Sequence, residues 1–359
     1  MITIEFGVVL QFLVLATSLF FLVKSSDAVS NSAARIASFT GLGQMTIGFL
    51  LLSVVTSLPE LAVAVSSIST GDVGISIGGL FGSNVANIGL ILGLTAILAP
   101  TAFRITEKSF KSLALMLLLC SIVPIMALVP FGSNVYLGVL LLFLFGLFVG
   151  YSIKSKFNME SEEVERPQGL KRELLITFMG VAVVLASARF VVSSSVSISH
   201  FFNVEEAVIG ATVVAVGTSL PELSVSLAAA RKKHMNLALG NILGSCFTNL
   251  TLILGVVLAM STFRVNITVF VELIIVLLLV NLALWRMLVD SKIGLMDGLI
   301  LLLLYIFFLG STLGVQAVVM SSEYLSMALN AMFETLSFAL AYSVVAVVAL
   351  ILGITLTKG

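Results

Sequence analysis

The hexapeptide Thr-Ser-Leu-Pro-Glu-Leu occurs twice in this chain, at residues 56–61 and 218–223. Each copy places a glutamate, Glu60 or Glu222, inside a long apolar run, directly after a proline. An acid buried in an apolar span is costly and is by default a functional candidate. The proline leaves the carbonyl four residues earlier, that of Val55 or Gly217, without its helical partner. Each copy therefore predicts a carboxylate, a hydroxyl and free carbonyls at one broken helical turn.

These groups are hard oxygen ligands, which suit Na⁺ and Ca²⁺ better than soft metals. Two carboxylates carry two negative charges, which neutralise one Ca²⁺ in a medium of low dielectric constant, whereas several Na⁺ ions would leave the site positive. A kinked packing helix with a protonated glutamate is the structural alternative. The presence of two copies in register argues against it.

A polar stripe follows each hexapeptide. Gly79, Ser83 and Asn87 are spaced by four residues and share one helical face. The same stripe recurs later as Asn241, Ser245 and Asn249. Such a stripe either joins helices or completes a cation site, and the neighbouring glutamates favour the cation site. Pairs of glycines in GxxxG spacing also predict close helix packing; they are Gly78/Gly82 and Gly240/Gly244.

The two motifs belong to a longer internal repeat. Residues 56–94 align without gaps on 218–256 at an offset of 162, with 15 identities in 39 positions. The run Thr-Ser-Leu-Pro-Glu-Leu is followed both times by Gly-x-x-x-Gly-Ser-x-x-x-Asn at the same distance. The chain is therefore a tandem duplication.

The elements that carry the repeats are predicted to be membrane spans. Of 359 residues, 59% are hydrophobic and 10% are charged, with a mean hydropathy of +1.21. Soluble domains carry about 25% charged residues, so the expected solvent is the bilayer. We predict an all-α polytopic protein whose eleven candidate spans lie near 5–23, 42–69, 73–99, 109–129, 133–152, 172–194, 205–230, 236–261, 266–286, 294–317 and 333–356.

Five spans precede the charged segment 153–171, so the second repeat enters the membrane in the opposite sense to the first. We predict a first five-helix repeat over 1–152, with the repeated motif at about 42–99. A cytoplasmic linker spans 153–171, and the second five-helix repeat spans 172–317, with its motif at about 205–261. An appended transmembrane helix lies within 318–359. With the N-terminus outside and the C-terminus in the cytoplasm, 16 of 18 Lys and Arg residues face inward.

Composition excludes several functions. The formal net charge is zero, which favours no nucleic-acid partner, and two histidines do not support a transition-metal site. Cys120 and Cys246 lie in apolar runs and predict no disulfide. No HExxH or P-loop pattern is present, so neither an enzyme nor a cofactor is expected. The oligomeric state stays open, and a monomer is expected to suffice for function.

The paired TSLPE and GS(N/C)xxN segments resemble the repeats of the Na⁺/Ca²⁺ exchanger family, within the calcium/cation antiporters. The resemblance covers the first ten spans. It implies a ten-helix core of two inverted five-helix repeats in the cell membrane, alternating access, one Ca²⁺ site and three Na⁺ sites. Position by position, it implies Ca²⁺ ligands at Glu60 and Glu222 and at the carbonyls of Thr56 and Thr218, and mid-site residues at Asn87 and Asn249. It implies Na⁺ ligands at Ser57, Ser83, Ser219 and Ser245, and carbonyl ligands at Ser53 and Ala215.

The chain departs from the family pattern at four positions. Asn249 stands where many members carry Asp, which favours K⁺-independent exchange because one negative charge is absent. Val55 replaces a Gly, Gly79 replaces an Asn, and Cys246 replaces the Asn matched by Asn84. Two alternatives stay open: an H⁺/Ca²⁺ antiporter, since buried glutamates also bind protons, and a cation channel, since broken helices also build selectivity filters.

Overall fold

The structure, a computed structural model, describes residues 2–39, 54, 56–98, 103–104, 108–126, 134–155, 169–231, 235–261, 267–290 and 292–321. Nearly all of them are helical. The elements of the first half are α1 Ile2–Phe39, α2 Leu58–Thr70, α3 Val73–Val85, the π-helical segment π1 Ala86–Leu92, α4 Gly93–Leu98, the strand β1 Phe103–Arg104, α5 Lys108–Cys120, α6 Val123–Met126 and α7 Asn134–Ser155.

The described residues of the second half are also mostly helical. Its elements are α8 Leu170–Phe202, α9 Glu206–Ile209, π2 Gly210–Val214, α10 Ala215–Thr218, α11 Leu220–Arg231, α12 Met235–Thr248, π3 Asn249–Ile253, α13 Leu254–Met260, α14 Ile267–Val289, β2 Lys292–Ile293 and α15 Leu295–Ser321.

Within the described residues, six helices are long and apolar enough to cross a bilayer. A seventh candidate is the pair Glu206–Thr218 and Leu220–Arg231, which bends by 41°. Two shorter apolar helices, Leu58–Thr70 and Val135–Gly150, also lie in predicted spans. The candidate span at 333–356 and the first part of 42–69 lie outside the described residues. The appended helix and the ten-helix count therefore stay predictions.

Burial separates central helices from peripheral ones. The most apolar windows of Val73–Leu98 and Met235–Met260, which carry the polar stripes, are each 83% buried. The corresponding windows of Gly7–Val29 and Lys171–Phe202 are 17% and 28% buried. The repeated motifs therefore occupy the middle of the bundle, and α1 and α8 lie at its edge. The surface that these outer helices present is apolar, with exposed side chains such as Phe20, Phe21 and Phe178. In a protein with this many spans, such a surface faces lipid.

The helices are longer than predicted at their polar ends. We predicted the first span at 5–23, but α1 continues to Phe39. Its second half packs on α8, where Ser32 donates hydrogen bonds to the Glu173 carbonyl (2.7 Å) and to Glu173 Oε2 (2.8 Å). Arg35 Nε lies 3.0 Å from the same carboxylate oxygen. The polar residues after position 23 therefore extend the helix by pairing with α8 instead of forming a loop.

Two loops that were predicted to lie on the same side of the membrane meet in the structure. β1 pairs with β2 in an antiparallel two-stranded sheet, with Phe103 opposite Ile293 and Arg104 opposite Lys292. Both segments belong to loops assigned to the cytoplasm by the distribution of basic residues. The pairing shows that the two segments lie on the same side of the bundle, and the side they face stays a prediction.

Candidate cation-binding site

Glu60 is 4% exposed and lies in the first turn of α2. Ser83 of α3 lies 3.4 Å from Glu60 Oε1, and Ser219 of the second repeat lies 3.3 Å from the same oxygen; both hydroxyls donate. Glu60 Oε2 has no hydrogen-bond partner among the described residues. The carboxylate thus has one oxygen held by hydroxyls from both repeats and one oxygen free to accept a ligand.

Glu222 repeats this arrangement from the other side. It is fully buried at the start of α11, and Ser57 of the first repeat donates to Glu222 Oε1 at 3.5 Å. Ser245 and Thr56 also lie beside this carboxylate. Glu222 Oε2, like Glu60 Oε2, lacks a partner in the part of the chain described. The two carboxylates are close enough to repel each other, so a shared cation would relieve this repulsion.

The predicted helix breaks position both glutamates. In the second repeat α10 ends at Thr218 and α11 begins at Leu220, with Ser219 between them at φ −82° and ψ 8°. In the first repeat Ser57 has nearly the same backbone, φ −83° and ψ 12°, before α2 begins at Leu58. Prolines two residues further on cannot donate into the preceding turn, so the helix restarts there. As a result each glutamate stands in the first turn of a new helix.

Hydroxyl and amide groups connect the broken turns to the polar stripes. Thr56 Oγ1 lies 3.1 Å from Ser245 Oγ, and Thr218 Oγ1 lies 3.4 Å from Ser83 Oγ. The Ala215 carbonyl accepts from Ser83 Oγ at 3.4 Å and from Thr218 Oγ1 at 3.3 Å, so this carbonyl faces the site.

Asn87 and Asn249 stand about one turn beyond Ser83 and Ser245 on the same helices. Both are fully buried, and each lies at a change from α-helix to π-helix, in π1 and at the start of π3. The wider turn of a π segment alters which side chains face the site, and such segments recur at functional sites. The sequence did not indicate these π segments.

A small cavity borders Glu60 and is lined by Ser76, Gly79 and Thr218 among others. The Ser76 hydroxyl is buried and has no partner among the described residues. We did not predict this residue, although it lies on the Ser83 stripe about two turns earlier. Ser226 was missed in the same way: it stands four residues after Glu222 and accepts a hydrogen bond from Asn241 Nδ2 at 3.1 Å. Extending the Ser83 stripe by two turns would have found Ser76, and the i+4 position after Glu222 would have found Ser226.

The donor set defines what the site can bind. The polar atoms come from carboxylates, hydroxyls, amides and carbonyls. No group of three His, Cys, Asp or Glu side chains that could hold a metal ion occurs among the described residues. Oxygen ligands with two negative charges suit a hard cation such as Ca²⁺ or Na⁺. Of the predicted ligands, Ser53 lies outside the described residues; the structure gathers the rest around the two breaks and the polar stripes.

Other intramembrane acids stand apart from this site. Glu272 of α14 lies beside Ser311 and Thr312 of α15, and its two carboxylate oxygens have no hydrogen-bond partner in the described structure. Asp297 accepts a hydrogen bond from the Gly294 amide at 2.8 Å, near the start of α15. Neither residue contacts the glutamates of the repeats in the described interactions.

A polytopic helical bundle with a buried, duplicated, oxygen-lined site is the architecture of a membrane transporter. The family whose description is "Sodium/calcium exchanger protein" matches residues 10–154 and 173–314. The chain belongs to this sodium/calcium exchanger family, whose members are transporters and not enzymes, and it is an integral multi-pass membrane protein.

Individual relatives agree with this assignment. The sodium/calcium exchanger MaX1 of Methanosarcina acetivorans is 31% identical over 292 residues, which cover 69% of this chain and 82% of the relative. An uncharacterised membrane protein of Methanocaldococcus jannaschii is 32% identical over 294 residues, covering 82% and 95%. The solved structure of the sodium-calcium exchanger NCX_Mj, soaked with 10 mM Na⁺ without Ca²⁺, superposes with a TM-score of 0.60 at 32% identity. It covers 85% of this chain and 99% of that one.

Proposed function

We propose that this protein exchanges Na⁺ for Ca²⁺ at the site formed by Glu60 and Glu222. The observation that carries the proposal is the reciprocal arrangement of two buried carboxylates. Each is held on one oxygen by a serine of the opposite repeat, and its other oxygen has no hydrogen-bond partner among the described residues. One Ca²⁺ would neutralise both charges, and the two free oxygens would become ligands. The names of the relatives support the same pair of ions.

Na⁺ competes with Ca²⁺ in this proposal because the two ions share ligands. Ser57, Ser83, Ser219 and Ser245 contact a carboxylate or a hydroxyl of the broken turns. A hydroxyl that donates to a carboxylate turns its lone pairs toward a neighbouring cation. Na⁺ ions at these flanking positions would draw the carboxylates away from the centre and lower the affinity for Ca²⁺. The remaining proposed ligands are the carbonyls of Thr56, Thr218, Ser53 and Ala215 and the amides of Asn87 and Asn249.

The site lies between two repeats, and we propose that it alternates in access from the two sides of the membrane. Each glutamate contacts hydroxyls from its own repeat and from the other, so a shift between repeats changes both sets of contacts at once. The opposite membrane sense of the repeats would give such a shift equivalent outward and inward forms. We place the protein in the cell membrane, with its N-terminus outside and its C-terminus in the cytoplasm.

We expect transport without K⁺. Asn249 supplies an amide where an aspartate would add a third negative charge near Glu60 and Glu222, and a further monovalent cation would need that charge. In proteoliposomes, replacing K⁺ by choline on both sides should leave the rate of Na⁺-driven Ca²⁺ uptake within about twofold of its value with K⁺. The reason is that the Asn249 amide adds no negative charge for K⁺ to neutralise. Asn249→Asp is the matched variant, and it should introduce sensitivity to K⁺. Loss of uptake in wild type without K⁺ would contradict the expectation.

The experiment that tests the whole proposal is ⁴⁵Ca²⁺ uptake into proteoliposomes that contain the purified chain. An outward Na⁺ gradient should drive uptake, and an equal Li⁺ or choline gradient should not. An outward H⁺ gradient without Na⁺ is the second arm. Uptake with H⁺ alone would make the protein an H⁺/Ca²⁺ antiporter, and flux that ignores the counter-ion gradient would make it a channel.

A further inference from the structure

Four fully buried side chains next to the glutamates form two pairs related by the internal repeat. At the offset of 162, Asn84 is equivalent to Cys246, and Asn87 is equivalent to Asn249. The pairs that meet across the repeats are Asn84 with Asn249 and Asn87 with Cys246. In one pair Asn249 Nδ2 donates to Asn84 Oδ1 at 3.2 Å. This contact crosses from the second repeat to the first. It ties down the nitrogen of the Asn249 amide, and Asn249 Oδ1 is left without a partner among the described residues.

The second pair lacks this hydrogen bond. Asn87 lies beside Cys246, where the repeat would place an amide oxygen, but a thiol is present instead. Neither Asn87 Nδ2 nor Asn87 Oδ1 has a hydrogen-bond partner in the part of the chain described. The thiol itself points to the Asn84 carbonyl, at an Sγ–O distance of 4.0 Å. A thiol is a weak acceptor, so it cannot hold an amide as a second asparagine does.

The two amides therefore differ in how far they are oriented before a cation arrives. With its nitrogen bound, the Asn249 amide has one favoured orientation, which leaves its oxygen free. The Asn87 amide can turn about its last side-chain torsion, since no strong acceptor among the described residues selects one orientation. Ordering such a side chain when a cation binds costs conformational free energy. A hydrogen bond that already orients the side chain, here called an anchor, would remove this cost from the binding step.

We infer that Asn84 is a positioning residue for Asn249, and that Cys246 leaves Asn87 as an unanchored ligand, so the two halves of the site bind Na⁺ unequally. The inference rests on the proposed function, because it treats both amides as cation ligands. Neutral amide oxygens suit a monovalent ion, since they add no charge beyond that of the two glutamates. Na⁺ affinity is therefore the quantity that the anchors should change.

The test is the Na⁺ concentration that gives half-maximal Na⁺-driven Ca²⁺ uptake in proteoliposomes. Cys246→Asn should anchor Asn87 and lower that concentration by about threefold, the effect of removing the ordering of one side chain. Asn84→Cys should raise it by a similar factor, and the double variant, which moves the anchor to the other repeat, should return it toward wild type. The maximal rate should change less than the half-saturating concentration in each case.

Two controls separate positioning from a general loss of structure. Cys246→Ala removes the thiol without supplying a hydrogen-bonding group, and Cys120→Ser alters the other buried cysteine, which lies on α5 away from the site; both should match wild type. In an Asn87→Ala background, Cys246→Asn should have no effect on Na⁺ dependence. The melting temperature in Na⁺-free buffer shows whether Asn84→Cys folds. If it does not fold, the comparison of Cys246→Asn with and without the Asn87 side chain still tests the inference.

The inference is overturned if Cys246→Asn behaves as Cys246→Ala does, or if Cys246→Asn acts equally in the presence and absence of the Asn87 side chain. Either result would leave the proposed exchange intact, because wild-type uptake would still follow the Na⁺ gradient. A wild type that shows no Na⁺-driven uptake would instead defeat the proposed function.

Discussion

Replacing either Glu60 or Glu222 by Gln should abolish Na⁺-driven Ca²⁺ uptake. Glutamine keeps the size of the side chain and one oxygen ligand, but it removes one of the two negative charges that neutralise a bound Ca²⁺. Bound Ca²⁺ and each carboxylate form a buried pair of opposite charges, and removing one partner from such a pair costs about 3–5 kcal/mol, so we expect a loss of about a hundredfold or more. Uptake of ⁴⁵Ca²⁺ into proteoliposomes under a fixed Na⁺ gradient measures this loss.

Each variant should nevertheless fold. In the cation-free protein the two carboxylates repel each other, so removal of one charge should leave the melting temperature in chelator unchanged or raised. Glu272→Gln is the matched control, since it alters another intramembrane acid that lies outside the site and should preserve uptake. If Glu60→Gln or Glu222→Gln retained wild-type transport, that glutamate would be structural and the proposed site would be wrong.

Gly82→Ala should destabilise the protein more than a substitution at an ordinary helical glycine. A Cβ at position 82 would lie 2.2 Å from the Ala211 carbonyl oxygen, and one at Gly78 would lie 2.0 Å from that of Ala207. In both cases the obstacle is backbone, so α3 must move away from α9 and π2. Overpacking of this kind costs about 1–3 kcal/mol, and we expect the upper end of that range. Thermal unfolding of the purified protein in detergent would show the decrease.

Gly146→Ala on α7 is the control for helix propensity. No atom of the described residues lies within 4 Å of a Cβ at that position, so alanine should leave the melting temperature unchanged or raise it, because glycine is the weaker helix former. Gly82→Ala should therefore lower the melting temperature, whereas Gly146→Ala should not. A Gly82→Ala protein as stable as Gly146→Ala would mean that the close approach of α3 to the second repeat is not required. Since Ser83 follows Gly82, the same variant should also weaken Ca²⁺ uptake.

The GxxxG pair at Gly78 and Gly82 was predicted from spacing alone, and the structure confirms the close packing that the spacing indicates. The spacing did not identify the partner. That partner is the first part of the broken span in the other repeat, where Gly210 in turn meets the Ile75 carbonyl, 2.4 Å from the position of an added Cβ. The equivalent role of Gly240 and Gly244 stays a prediction.

The class of the molecule, the two helix breaks and the two central acids can be predicted from the residues alone. These follow from local chemistry: apolar composition requires a bilayer, a proline cannot donate a backbone hydrogen bond, and a duplicated acid in an apolar run needs a partner. Each of these properties can be evaluated from a few neighbouring residues. For that reason Glu60, Glu222 and the Ser57 and Ser219 breaks could be named before any contact was known.

Which groups meet at the site depends on the tertiary structure. The exchange of serines between repeats, Ser219 with Glu60 and Ser57 with Glu222, joins residues about 160 positions apart. So does the hydrogen bond between Asn249 and Asn84 that Cys246 cannot reproduce for Asn87. Contacts between distant helices also determine three further features: the π segments, the continuation of α1 to Phe39 and the partner of each close-packed glycine. All of them depend on packing between distant helices, and periodicity within one helix carries no information about the surface that will lie against it.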